Sequence, residues 1–426
     1  MLNRSTPPAI YNAVDFDFVL PTCQQHVLSN GTQVYAVNGG SQDALLLELV
    51  FDAGNWFEEK NLVAALTNFL LKNGTTTKNA FTINEEFEYY GAFLNRNCYT
   101  ETANITLHCL SKHLEQLLPS VADIISNSTF PEEELALTKN NHIQKLQVNL
   151  QKCDFVANRL IDEFLYGLQH PYGKYSSTVA YQNVTRDQIL DFYAKHYKHG
   201  HCKVFIGGKL PPNYLAILDA VLGQLPFTPK AFVHPTHTVS TTAQRTHNII
   251  NDANGVQAAI RLAIPAVNRK HPQFTTLQVT NTVFGGYFGS RLMSNIREDK
   301  GYTYGIHSYI QNHLHETALV IASEVGREVA TATTEEVYKE IHLLHNELVS
   351  EEELLLVKNY TLGNVLSSLD GPFGILNRWK GYILQGFTEE YFYKSIDTIK
   401  NITPETIQQT AKTYLQPENF YELTVV

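Results

Sequence analysis

Seventeen histidines in 426 residues make metal chemistry the first possibility to test. The helical zinc motifs H-E-x-x-H and H-x-x-E-H need two histidines four apart, so that both imidazoles leave one helix face. No two histidines in this sequence are four apart. Three pairs are three apart: His196/His199, His234/His237 and His342/His345. The last pair falls on a predicted helix near Glu347, and it reads either as a metal pair or as the polar side of a surface helix. His313 and His315 beside Glu316 have strand spacing and read equally well as a surface turn. There is no G-x-S-x-G elbow and no phosphate loop. The five cysteines are scattered, with no C-x-x-C pair, which fits reduced thiols better than a disulfide framework. Cys98, beside Asn97 and Arg96, is a candidate thiol site or a small buried residue.

The segment of strongest chemical character runs from Phe284 to Gly305. It reads as a glycine turn at Gly285 and Gly286, a helix over Ser290–Lys300 with Leu292 and Ile296 on one face, a glycine stop and a strand. Arg297 in the last turn and Tyr304 seven residues later can converge at one edge of a sheet. A guanidinium and a phenol are good donors to a peptide carbonyl or a developing oxyanion. The same residues have a structural reading: Arg297 as a helix cap or partner of Glu298 or Asp299, Tyr304 as packing. The glycines open a helix and so could face an anion, or could serve a tight turn between elements.

These residues need elements to position them, and an internal repeat shows how those elements are organised. Glu132-Glu133-Glu134-Leu135 returns as Glu351-Glu352-Glu353-Leu354, 219 residues later. Asp187-Gln188-Ile189 with Ala194-Lys195-His196-Tyr197 returns as Glu405-Thr406-Ile407 with Ala411-Lys412-Thr413-Tyr414, at offsets of 218 and 217. Two matches in one order argue for a duplicated domain, with a period far too long for a solenoid. The prolines and threonines of residues 226–247 read as a linker, giving domains over 1–225 and 248–426. In the first half, strands are predicted over Ala44–Phe51, Ala92–Leu94, Ala103–Leu110 and Lys203–Gly207, with helices over Asn61–Lys72 and Ile83–Tyr90. In the second, strands are predicted over Ala258–Ile264, Tyr302–Gln311 and Ala318–Ser323, and a helix over Pro272–Phe284. The fold class is α+β, two homologous domains each with a mixed sheet and helices packed on one side.

Composition narrows the partners. Asp and Glu total 42 against 32 Lys and Arg, a formal charge of −10 without a basic run, which excludes a phosphate-neutralising nucleic-acid surface. Met1 to Pro8 is not followed by an apolar h-region, and no apolar run approaches the ~20 residues that cross a bilayer. The expectation is a cytoplasmic protein without a membrane partner.

The Phe284–Gly305 block resembles the C-terminal substrate-binding block of the pitrilysin-like (insulinase) family of inverted-motif zinc peptidases. Further segments are similar: Ala53-Gly54-Asn55-Trp56-Phe57-Glu58-Glu59 to the stretch before the zinc helix, Phe69 to Thr75 to the stretch after it, Tyr90 to Asn95 to an edge-strand entry, His170-Pro171-Tyr172-Gly173 to a recurring turn, and Val184 to Gly208 to the close of the first domain. The resemblance implies two halves closing as a clamshell, with Arg297 and Tyr304 assisting catalysis and Asn95, Gly285 and Gly286 near substrate. The departure is the zinc helix. Where the family has H-x-x-E-H, this chain reads Ala64-Ala65-Leu66-Thr67-Asn68, and Lys145 stands at the expected later glutamate. Ala64, Thr67, Asn68 and Lys145 give no zinc site and no general base, so no metal is expected on this chain. Some family members divide the work between two chains. The resemblance therefore implies a non-zinc subunit of a heterodimeric metallopeptidase, with zinc on a homologous partner, a peptide substrate and no peptide hydrolysis by this chain alone. A catalytically inactive homologue that binds peptides or scaffolds an assembly is the alternative, and homodimerisation is left open.

Overall fold

The computed structural model describes Pro7 and residues 11–426. Apart from Pro7, the Met1–Pro8 segment inspected for a targeting signal lies outside the described residues. The chain forms two compact units. One comprises Pro21–Ala243 with Asp370–Gly381; the other comprises Gln244–Leu369, Tyr382–Val426 and the described part of Met1–Leu20.

The first unit holds a six-stranded sheet of β1 (Gln24–Val27), β2 (Gln33–Asn38), β3 (Ala44–Phe51), β4 (Phe93–Cys98), β5 (Ala103–Leu110) and β6 (Cys202–Gly208), in the order β1-β2-β6-β3-β5-β4. The second unit holds β7 (Thr246–Ile249), β8 (Gln257–Pro265), β9 (Thr303–Asn312), β10 (Thr317–Gly326) and β11 (Tyr421–Val425), in the order β7-β11-β8-β10-β9. Without β1, the first order maps strand for strand onto the second. In each sheet one pair is parallel, β2 with β6 and β7 with β11, and the other pairs are antiparallel. The mixed sheets and α+β class agree with the sequence reading. The repeat has a direct structural counterpart too. Glu132–Asn149 and Glu351–Ser368 are both helices of 18 residues. The Arg186–Tyr193 and Pro404–Tyr414 helices begin at Thr185 and Thr403, whose hydroxyls accept from Gln188 N and Thr406 N at 3.3 Å each.

Period-two alternation in β3 sends Leu45, Leu47, Leu49 and Phe51 to one face, where they join Val63, Leu66, Leu70, Leu117 and Val121 in the core. Each such burial stabilises by roughly 1.5–3 kcal/mol. The opposite face carries Glu48, which is also buried. There the Asp370–Gly381 stretch returns from the far end of the sequence. Lys380 Nζ is 2.7 Å from Glu48 Oε2, and Trp379 Nε1 donates to Pro21 O at 2.8 Å. Gly207 lets this stretch approach, since a Cβ there would lie 3.0 Å from Leu376 Cδ2.

Two elements differ from the sequence reading. The predicted helix over Ser290–Lys300 widens into a π-helix over Met293–Asp299, with Leu292 and Ile296 still buried. The 226–247 stretch is anchored to the first unit over part of its length: Phe232 N donates to Asp52 Oδ2 at 3.1 Å and Trp56 Nε1 to Pro235 O at 3.0 Å. Its last residues belong to β7, which begins at Thr246. Among the described residues no helix is long and apolar enough to cross a membrane.

Candidate functional site

The Val63–Leu70 helix starts after Leu62, whose φ of +74° reverses the chain. No Ncap side chain serves it; instead the buried Glu58 accepts from Ala64 N at 3.0 Å, placing a carboxylate at the positive end of the helix. Burial raises the Glu58 carboxyl to about 7, opposed by Lys174 at 3.6 Å. Ala64 is fully buried in the core. Thr67 is also buried and its hydroxyl donates to Val63 O at 2.7 Å, within its own helix. The Asn68 amide donates to Asn104 O at 3.3 Å and to the Tyr197 hydroxyl at 3.1 Å. These side chains are committed to packing and backbone satisfaction, and they do not fit a divalent metal.

One cavity beside the helix is lined by its Ala65, Leu66, Asn68 and Phe69. Ala65, Asn68 and Phe69 repeat the i, i+3, i+4 spacing one residue later than Ala64, Thr67 and Asn68, so of the latter triple only Asn68 reaches this opening. The cavity, 280 Å³, is walled by β4 through Arg96 and Cys98 and by His142 and Tyr181. A second cavity, 520 Å³, shares Phe69 and His142 with the first and is bordered by Thr138 and Lys145. Lys145 and Phe69 of the Val63–Leu70 helix thus line one cavity. Asn95 is exposed on β4, the free edge of the first sheet.

Arg96 and His142 were not singled out by sequence reasoning for this site. The signals existed: Leu94, Arg96 and Cys98 alternate onto the inward side of β4, and His142 continues the helical stripe of Leu135, Thr138 and Leu146. The Cys98 thiol, in contrast, is pushed up to about 12, chiefly by burial, so a buried inert residue is the reading it supports. None of the five cysteines is in a disulfide, and Cys109 and Cys202 are the buried ones.

In the second unit, Arg297 lies with its guanidinium 4.6 Å from the Phe288 ring and 3.9 Å from Glu298. Tyr304 is fully exposed at the start of β9, the free edge strand of the second sheet. Gly285 is buried where the Phe274–Gly285 helix meets β9, and a Cβ there would lie 2.6 Å from Ser308 Oγ and 2.9 Å from Ser308 N. A Cβ on Gly286 would lie 2.8 Å from Thr282 Cα. Both glycines permit close packing of the helix that precedes the Arg297 turn. Arg291, in the same block, forms a bidentate pair with Glu353 at 2.8 Å and 2.8 Å and ties that turn to the repeated Glu351–Ser368 helix.

Of the other histidine candidates, the His345 imidazole is drawn into a structural contact, its Nε2 3.0 Å from Ala411 O, while His313 joins the β9–β10 turn through its backbone N, which donates to Glu316 O. Among the described residues no three His, Cys, Asp or Glu side chains cluster so as to hold a metal ion.

Comparison with known proteins places this architecture. Residues 34–170 match the model of insulinase, peptidase family M16, and residues 183–360 match the model of the peptidase M16 inactive domain. An uncharacterized zinc protease of Bacillus subtilis, YmxG, is 23% identical over 386 residues, covering 89% of this chain and 90% of that protein. The mitochondrial-processing peptidase subunit beta of Rattus norvegicus is 24% identical over 370 residues, covering 83% of this chain and 74% of that protein. Among solved structures, a peptidase M16 inactive domain from Pseudomonas fluorescens superposes with a TM-score of 0.85 at 23% identity, covering 95% of this chain and 98% of that one. A protease from Helicobacter pylori superposes at 0.86 and 15% identity, covering 96% and 100%. These likenesses in structure concern the fold. With both family models matching in order along the duplicated halves, the chain belongs to the insulinase-like M16 peptidase family.

Proposed function

We propose that this chain is the zinc-free subunit of a two-chain metallopeptidase, supplying Arg297 and Tyr304 to a peptide held in a partner's active site. The observation that carries the proposal is Tyr304: a phenol wholly exposed on a free sheet edge, with its hydroxyl unused by the chain's own fold. A ring left in water gains nothing from packing, and its O–H stays available as a donor to an outside group. Arg297 is held by weak contacts only, at 3.9 Å from Glu298 and over Phe288, and is free to exchange them for a substrate carbonyl. The Val63–Leu70 helix offers neither a ligand nor a base at Ala64, Thr67 and Asn68, which supports a reading in which a partner carries the zinc and the water-activating carboxylate. The name of the rat relative, a peptidase subunit, is consistent with divided labour in this family.

In this reading Tyr304 donates to the oxyanion of the tetrahedral intermediate and Arg297 binds the neighbouring carbonyl. The test is peptide cleavage by a mixture of this chain with a homologous chain carrying H-x-x-E-H from the same source. Activity is expected only in the mixture, and Tyr304→Phe should lower kcat about 10²–10³-fold, the usual effect of losing one oxyanion donor. Unchanged cleavage by the Tyr304→Phe mixture refutes the shared site. A complex that forms but never cleaves favours the second reading, a peptide-binding or assembly scaffold, which the absence of zinc ligands at Ala64, Thr67 and Asn68 also accommodates.

A further inference from the structure

Arg96 is the one guanidinium of the first unit that faces the cavity beside the Val63–Leu70 helix. Its Nε and Nη1 are buried and make no hydrogen bond, and no carboxylate of the described residues forms an ion pair with it. Its aromatic contact is Phe69, with the ring centroid 5.4 Å from Cζ, which leaves the edge N–H groups uncommitted. A buried cation without an anion is costly, and a desolvated guanidinium fork matches a carboxylate in shape and charge. We propose that the cavity formed by Ala65, Asn68, Phe69, Arg96, His142 and Tyr181 is a carboxylate-binding site for a peptide lying along β4.

Four further observations support this assignment. The cavity of 280 Å³ accommodates a carboxyl group with its attached side chain or peptide terminus. Positive charges act on its surroundings: burial first and the Arg96 charge second hold the Lys72 ammonium below its usual range, against an opposing effect of Glu88, and burial first and Lys145 second lower His142. Burial itself lowers the Arg96 guanidinium only to about 10, so it stays charged at neutral pH. At the wall, the Tyr181 hydroxyl lies 3.4 Å from His142 Nδ1, and each group can turn toward an anion. Finally, β4 pairs only with β5, which leaves one side of its main chain open to an added strand. The inference uses no residue of the Arg297/Tyr304 site and does not depend on a second subunit.

The test is fluorescence anisotropy with three labelled ten-residue peptides: one ending in a free carboxylate, the same sequence ending in an amide, and that amide with one internal residue replaced by Glu. At least one carboxylate peptide should bind ~10- to 100-fold tighter than the plain amide, the range of a charge-assisted hydrogen bond, and which one does so identifies the carboxylate as terminal or side-chain. Arg96→Gln should abolish the difference and Arg96→Lys should retain part of it. If Arg96→Gln does not fold, the wild-type protein carries the test: acetate must displace the carboxylate peptide and acetamide must not. Equal binding of all three peptides, no binding by either carboxylate peptide, or an undiminished preference in Arg96→Gln overturns the proposal.

Discussion

Replacing Lys380 with methionine removes the only ion pair that the described residues make to Glu48, a carboxylate buried in the first sheet. Glu48 is 5% exposed, accepts from the Asn104 amide on one oxygen, and meets Lys380 at 2.7 Å on the other. At an effective dielectric of about 20, two unit charges at this separation attract by about 6 kcal/mol before desolvation is subtracted. Breaking such a pair from one side typically costs 3–5 kcal/mol, because the remaining charge stays buried. The Lys380 side chain is 23% exposed, so the lower end applies, about 3 kcal/mol. Both tryptophans of the chain, Trp56 and Trp379, lie in this unit, so their fluorescence in urea reports on its unfolding. With an m-value of about 2–3 kcal/mol/M, the Lys380→Met midpoint should fall by about 1–1.5 M. Adding Glu48→Gln removes the stranded charge and should restore most of the loss. A Lys380→Met shift below about 0.3 M, or a double variant no more stable than the single one, refutes the reasoning.

Two more outcomes follow from buried titratable groups. His196 is buried, stacks on Phe192 and has Nδ1 2.7 Å from Asp52 O, and burial pushes its imidazole down to about 4. Its folded value lies below the unfolded one of about 6.5, so the neutral ring contributes stability that is complete above pH ~6.5 and lost as pH falls toward 4, up to about 3 kcal/mol. Urea titrations at pH 7 and 4.5 should show that loss reduced in His196→Asn; equal slopes in both proteins refute it. Glu58, raised to about 7, favours the folded state as pH falls, but it does so in both proteins and cancels in the difference. For Cys98, a thiol near 12 leaves roughly 10³-fold less thiolate at pH 8 than an ordinary cysteine, so alkylation in native protein should be at least about 100-fold slower than in urea. Comparable native and unfolded rates refute that assignment.

Much of the fold was legible because its signals are local or repeated. The apolar run Ala44–Phe51 predicts β3 to the residue, and the Glu-rich starts at 132 and 351 head helices of equal length. The short strands β1, β2, β7 and β11 were missed, being four to six residues long with partners far away in sequence. The π-turn at Met293–Asp299 was read as an ordinary helix, since one extra residue per turn leaves Leu292 and Ile296 on the same side.

By itself the sequence determined the duplication and the α+β class, because residue identity and spacing carry both; the roles of Arg297 and Tyr304 and the empty zinc positions of the first-half helix are expectations drawn from the family resemblance. Tertiary structure decided which face of that helix meets the cavity. A shift of one residue rotates a helix by about 100°, and the sequence holds the same spacing at Ala64/Thr67/Asn68 and at Ala65/Asn68/Phe69. It also decided that Arg96 has no anion while Glu48 has Lys380, 332 residues away. Which charges end up paired depends on which elements pack together, and no local pattern records that.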